Sequence, residues 1–360
     1  TLQVGRAHFP YRAAFVARSR NALLSQLKNA IASSKKTHHA ETKLCFMFPG
    51  QGLKLCEGLS SLYSTLPVFK KYITVCVDRL MKKHNVDLLT LFSLNTSECI
   101  TPKCDFERIN QLYIFITEYA LATQWMAWGI YPAGMIGHSL GEYVAACVAG
   151  VWSLDDALDI ISKRQRLMNR LSLGCMLAVS LDVDTLKKYS IDNITVAAIN
   201  SPNRCTLSGS KDDIDTLIQS LRADAVPYCL VAANHAYHSV AVESIQQEFS
   251  DYLSHIQTNR PSIPFISNLT GQWLPDNEAM SSHYWSRQMR KTVLFSRGIE
   301  TLINGQFSIF VELGLGHHLS TFVKQHGCAV ECYAPHLSAY NSGVTEAYLK
   351  VLGALWETGI

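Results

Sequence analysis

From Leu44 to Phe48 the chain runs Leu-Cys-Phe-Met-Phe without a polar residue, then breaks on Pro49-Gly50-Gln51-Gly52. A short apolar run closed by turn residues predicts a buried strand ending in a tight loop. Gly134-Met135-Ile136-Gly137 repeats the pattern in miniature and leads straight into Ser139. Helical spacing is predicted over 59–83 and 109–128. The second stretch is apolar nearly all round, interrupted by Glu118 and Gln124, and so predicts a buried helix. An alanine-rich helix is predicted over 142–149. Helices alternating with short buried strands point to an α/β sheet domain.

The rhythm changes over 176–232. Strands are predicted over 176–180, 194–199, 204–208 and 226–231, with helices over 183–189 and 211–223. That order, β-α-β-β-α-β, is the ferredoxin-like split βαβ arrangement, and it predicts a small domain inserted into the larger one. Ahead of the first strand lie a basic segment over 5–20, a helix over 21–32 and a polar run over 33–42 that reads as a linker. The predicted division is 1–42, then a large domain of 43–174 and 238–335, a small domain of 175–237, and a terminal segment of 336–360. Thr1 and Ile360 read as cuts in a longer polypeptide.

Composition narrows the classes of function. With 48% hydrophobic and 17% charged residues the chain is an ordinary globular one. A net charge of +3 without long Lys/Arg runs gives no footing for nucleic acid. No apolar run approaches the length of a bilayer span. The 11 cysteines include no Cys-x-x-Cys pair and sit mostly in apolar stretches, as free thiols in a reducing, cytoplasmic compartment do. His326, Cys328 and Cys332 come nearest to a metal cluster but lack a second half, so no metal is expected.

Gly137-His138-Ser139-Leu140-Gly141, set between a strand and a helix, is a nucleophile elbow, the strand-to-helix turn of hydrolase-like α/β sheets. A serine so exposed needs a base and donors for the oxyanion. The Leu140 amide at the helix start is one natural donor. The loop after the first buried strand should end on the same sheet edge, which makes the Gln51 amide the second. Asn234-His235-Ala236-Tyr237-His238-Ser239 lies where the chain returns from the small domain, so His235 and His238 both qualify as base. His138 points to the other side of the turn and reads as structural. Ser153 and Asp156 form a capping box for a helix on which Ala157, Ile160, Ile161, Arg164 and Met168 share a face. An arginine in that apolar stripe requires a carboxylate, either an internal Asp or Glu or one on a ligand.

Phe48-Pro49-Gly50-Gln51-Gly52, Gly137-His138-Ser139-Leu140-Gly141-Glu142-Tyr143 and Ala236-Tyr237-His238-Ser239 occur in the order seen in malonyl-CoA:acyl carrier protein transacylases. The chain closely resembles the acyltransferase domains of modular polyketide synthases over residues 44 to about 335. Supporting runs are 163–168, 198–202, 267–271 and 312–316, and Leu315 departs from the proline usual between two glycines. Leu53 is a second departure, at a position often polar. Residues 1–6 resemble the linker that follows a ketosynthase, and 352–356 the return segment after an acyltransferase.

The resemblance implies a Ser139–His238 dyad, an oxyanion hole of the Gln51 and Leu140 amides, and Arg164 on the free carboxylate of an extender unit. It also implies that Tyr237, His235 and Asn200 line the acyl site, with Tyr237 crowding an α-branch in favour of malonyl over methylmalonyl. It implies no bound cofactor: a coenzyme A thioester is the substrate, and an acyl carrier protein supplies the phosphopantetheine thiol. An adjacent ketosynthase in the same polypeptide is the other expected partner. A hydrolase using the same serine, and an inactive docking module, are the alternatives.

Overall fold

The computed structural model describes residues 9, 11–30, 35–36, 42–50, 59–89, 92, 109–189, 192–314, 316–335 and 343–360. Along the chain, β1 (Tyr11–Arg12), α1 (Arg20–Ala30) and β2 (Lys35–Lys36) precede β3 (Lys43–Phe48). The helices α2 (Leu59–Thr65), α3 (Pro67–His84) and α4 (Asn110–Ala127) lead to β4 (Gly134–Gly137), α5 (Leu140–Val148) and α6 (Leu154–Met168). Next come β5 (Cys175–Val179), α7 (Val183–Leu186), β6 (Thr195–Ser201), β7 (Arg204–Gly209), α8 (Lys211–Ala223) and β8 (Tyr228–Val231). The chain finishes with α9 (Glu243–Leu253), β9 (Phe265–Ile266), α10 (Asp276–Ala279), α11 (Ser282–Arg290), α12 (Phe295–Asn304), β10 (Phe307–Glu312), α13 (His318–Lys324), β11 (Glu331–Tyr333) and α14 (Val344–Thr358).

The unbroken apolar run of β3 has a simple cause. Leu44, Phe46 and Phe48 point into one core, while Cys45 and Met47 point into a second core on the other face. Both faces of the strand are covered, so neither side of the pleat can be polar. β3 is the centre of a five-stranded parallel sheet ordered β11-β10-β3-β4-β9. The chain winds outward from β3 through β4 to β9, then restarts on the other side with β10 and β11. In such sheets the crevice beyond the strand ends at this reversal is where ligands bind. The loops after β3, β4 and β10 all leave the sheet there.

The small unit is a four-stranded antiparallel sheet ordered β6-β7-β5-β8, the ferredoxin-like order, with its own core under α7 and α8. Its entry and exit run side by side, with Leu173 bridged to His235 and the Gly174 amide donating to the Asn234 carbonyl at 2.9 Å. A second seam joins β6 to residues 292–293. The Ile199 amide donates to the Val293 carbonyl and the Val293 amide to the Ala197 carbonyl, each at 2.9 Å.

Two stretches differ from the sequence reading. The helix expected over 59–83 is two helices, because Leu66 takes an extended conformation (φ −104°, ψ 105°) ahead of Pro67. Proline disfavours a helical predecessor and itself suits the first helical turn. The polar run at 33–42 is not linker throughout: Lys35–Lys36 pairs antiparallel with Tyr11–Arg12. The first and last described segments also pack together, with Arg12 donating to the Trp356 carbonyl at 2.9 Å and stacking over its ring. Among the described residues no helix is long and apolar enough to cross a membrane.

Candidate active site

Ser139 stands between β4 and α5 at φ 54°, ψ −107°, a backbone conformation that costs a non-glycine residue about 1–3 kcal/mol. The flanking glycines are required by close approach. A Cβ on Gly137 would lie 2.1 Å from the Glu142 nitrogen, and one on Gly141 would lie 2.0 Å from the Phe48 carbonyl oxygen. The turn is tied to the neighbouring strand by the His138 amide, which donates to Phe48 at 2.9 Å.

His238, also at φ 54°, lies in the segment that follows the last strand of the small sheet. Its Nε2 lies 2.6 Å from Ser139 Oγ and its Nδ1 lies 2.8 Å from the Lys291 carbonyl oxygen. A carbonyl can only accept, so Nδ1 carries the hydrogen and Nε2 is left to take the serine proton. The group orienting the His238 ring is therefore a backbone carbonyl and not a carboxylate. Of the two candidate bases, His235 is not at the serine; its Nδ1 faces the Ser172 carbonyl at 3.1 Å.

Burial, and secondarily the Arg164 charge, lowers the pKa of His238 to about 3. The neutral, proton-accepting imidazole is then the dominant form throughout the physiological range. The rate of Ser139 acylation is expected to stay level from pH 8 to pH 5, where an ordinary histidine would be about 3% neutral. A stopped-flow pH profile that halves near pH 6.5 would show the base to be an unperturbed histidine.

Arg164 projects from α6, whose N-terminus is capped by Ser153 Oγ accepting from the Asp156 amide at 3.1 Å. It is buried, donates through Nη1 to Gln111 Oε1, and lies over the Tyr143 ring at 5.2 Å from the centroid. Among the described residues no carboxylate pairs with it, and both Arg164 Nε and Gln111 Nε2 are buried without a partner. A buried cation lacking a counter-charge is costly. Of the two carboxylate sources open at the sequence level, this geometry favours one brought by a ligand.

The remaining candidates separate. Leu140 opens α5, so its amide has no carbonyl one turn back and is a donor without an intrahelical partner. Tyr237 is buried beside His238 and its ring lies 5.8 Å from that of His235. Asn200 is buried, but its Oδ1 is 2.8 Å from His138 Nε2 and its Nδ2 donates to Thr206, so its side chain braces the turn from the small sheet. Gln51 and Leu315 lie outside the described residues. His326, of the weak metal cluster, is engaged at both ring nitrogens by Phe322 and Ser296.

Sequence reasoning missed a group of buried polar residues around the turn. Asn268 Oδ1 accepts from the Ser139 amide at 2.8 Å, and Gln288 Nε2 donates to the Ser139 carbonyl at 2.9 Å. Gln288 also donates to Glu142 Oε2 at 3.0 Å. Burial pushes the Glu142 carboxyl up to about 8. The only signal was faint: Asn268 belongs to a run resembling the family, with nothing in its spacing to give it a role.

Comparison with known proteins points to one family. A family model described as an acyl transferase domain matches residues 45–333, and one described as a RhiE-like KS-MAT linker domain matches residues 1–34. A phenolphthiocerol/phthiocerol polyketide synthase component of Mycobacterium tuberculosis is 31% identical over 332 residues, covering 88% of this chain and 21% of that protein. The chain thus spans about a fifth of the length of that curated relative. Among solved structures, the acyl transferase domain of SpnD in complex with 2-(pent-4-yn-1-yl)malonyl superposes with a TM-score of 0.91 at 29% identity, covering 99% of this chain and 86% of that one. The acyl transferase domain of ZmaA superposes with a TM-score of 0.89 at 31% identity, covering 99% and 85%.

Proposed function

Because the chain belongs to the acyl transferase domain family, we propose that it loads a malonyl-type unit from coenzyme A onto Ser139 and passes it to the phosphopantetheine thiol of an acyl carrier protein. The observation that carries this reading is the buried Ser139–His238 contact at 2.6 Å, beside an Arg164 that has no carboxylate partner among the described residues. His238 Nε2 takes the Ser139 proton as Oγ attacks the thioester carbonyl. The Leu140 and Gln51 amides receive the oxyanion, and the coenzyme A thiolate leaves with the proton returned by His238. In the second half the carrier thiol gives its proton to His238, attacks the acyl-serine, and Ser139 is reprotonated. No resident cofactor enters either step.

The linker match at residues 1–34 supports a ketosynthase as neighbour in the same polypeptide, and the thiol-rich composition a cytoplasmic setting. The test is a chase. Acyl-enzyme formed with malonyl-CoA is expected to discharge onto added holo-carrier protein; discharge to free malonate alone would make the protein a hydrolase.

For the extender's α-carbon we assign Tyr237 as the excluding group. The SpnD domain holds a substituted malonyl, so the fold can admit a branch where nothing opposes it. One methyl group is worth about 1–3 kcal/mol in such a pocket. Replacing Tyr237 by alanine is expected to raise methylmalonyl relative to malonyl loading by at least about fivefold in direct competition. An unchanged ratio would remove Tyr237 from the assignment.

A further inference from the structure

The nucleophile's own backbone is held by side chains from elsewhere in the chain. Its N–H goes to Asn268 Oδ1 at 2.8 Å, and Asn268 Nδ2 closes back on the Gly137 carbonyl at 2.7 Å, gripping the turn at two points. Its carbonyl accepts from Gln288 Nε2 at 2.9 Å. Behind these, Glu142 accepts from Gln288, from the Asn268 amide at 3.3 Å and from the Tyr284 hydroxyl, which also reaches Ser267 at 2.7 Å. All five side chains are buried. Three acceptors, the Ser139 carbonyl, Glu142 Oε2 and Asn268 Oδ1, face Gln288 Nε2 and fix its amide orientation, and its Oε1 is left without a partner.

We propose that Asn268, Gln288 and Glu142 are positioning residues that hold Ser139 in its strained conformation, so that the Leu140 amide, and not that of Ser139, is presented to the oxyanion. This rests on the acyl-serine reading above. The Ser139 N–H is the nearest rival donor at the turn, and Asn268 occupies it. The conformation at φ 54° persists only where surroundings over-determine it, and here both polar groups of the peptide are pinned. One helix also serves both halves of the dyad. Gln288 and Tyr284 share a face of α11 at i and i+4, and Lys291, the residue after α11, supplies the carbonyl that orients His238. A shift of α11 would therefore move nucleophile and base together.

Two probes separate this proposal from the reading beneath it. A fluorophosphonate reacts with an activated serine by displacement of fluoride, the serine proton passing to His238, and needs neither malonyl-CoA nor Arg164. Gln288→Met keeps the volume and removes both donors. It is expected to slow fluorophosphonate labelling and malonyl loading alike by about 10–100-fold, with KM and inhibitor affinity within twofold, since misplacement by an ångström costs on that order. Unchanged rate constants at full folding overturn the proposal, as does a loss confined to KM. Should Gln288→Met not fold, Tyr284→Phe, which deletes one oxygen behind Glu142, takes its place. A three- to tenfold loss at constant KM supports the proposal and an unchanged rate overturns it. A wild-type chain that labels with fluorophosphonate but never with malonyl-CoA refutes the substrate assignment and leaves the positioning role to be judged on the labelling rates.

Discussion

Replacing Ser139 by alanine is expected to abolish the acyl-enzyme altogether and to reduce transfer to carrier thiol by roughly 10⁶-fold, the scale of loss when a serine enzyme gives up its nucleophile. The reason is geometric. Ser139 Oγ is the group 2.6 Å from His238 Nε2, and no other hydroxyl or thiol among the described residues is hydrogen-bonded to that nitrogen. The residual oxyanion donors can still polarise a thioester, so a small background of direct thiol exchange remains. Intact-mass measurement after incubation with malonyl-CoA checks this. A malonyl adduct that survives Ser139→Ala would place the covalent step on another residue and overturn the mechanism. The fold should tolerate the change, because the Ser139 backbone is held through its N–H and carbonyl and not through Oγ.

Arg164→Ala is expected to lower malonyl loading by about a hundredfold or more while leaving acetyl loading unchanged or raised. Removing one partner of a buried charge pair costs about 3–5 kcal/mol, and each 1.4 kcal/mol is about tenfold. The penalty falls only on an acyl group that carries a carboxylate, so the malonyl-to-acetyl ratio moves even if both rates change. A second signature follows from electrostatics. The Arg164 charge is one of the causes that lower the His238 pKa, after burial, so its loss should move the acid limb of the pH profile upward. Mixed acyl-CoA loading followed by mass analysis reads the ratio. Equal losses for malonyl and acetyl would reduce Arg164 to a structural cation.

Much of this site could be found by reading the chain, for identifiable reasons. β3 announces itself because both of its faces are buried, and the elbow because two backbone crossings exclude every residue but glycine. Arg164 stands out as a cation in an apolar helical stripe. The helix break at Pro67 was equally visible, but the apolar spacing running through it masked it. What could not be read acts through atoms that residue identity does not advertise. Lys291 contributes a carbonyl that any residue would carry. Asn268, Gln288 and Gln111 are ordinary amides, 129, 149 and 53 positions away from the groups they touch. From the residues alone His235 and His238 were equal candidates, and the family resemblance singled out His238; in the structure the pairing at 173–235 directs the His235 ring to Ser172, while His238 meets the serine.

The seam between β6 and residues 292–293 sets a rule for recombining such domains. The small sheet looks like a removable cassette spanning 175–237, with entry and exit side by side. Yet its outer strand is hydrogen-bonded through Ala197 and Ile199 to Val293, two residues past the carbonyl that steers His238. A chimera cut only at the entry and exit would graft a foreign edge onto that segment and risk detuning a base more than fifty residues away. Crossover designs that carry 291–293 along with the cassette keep both sides of the ladder from one parent, and are the ones expected to remain active.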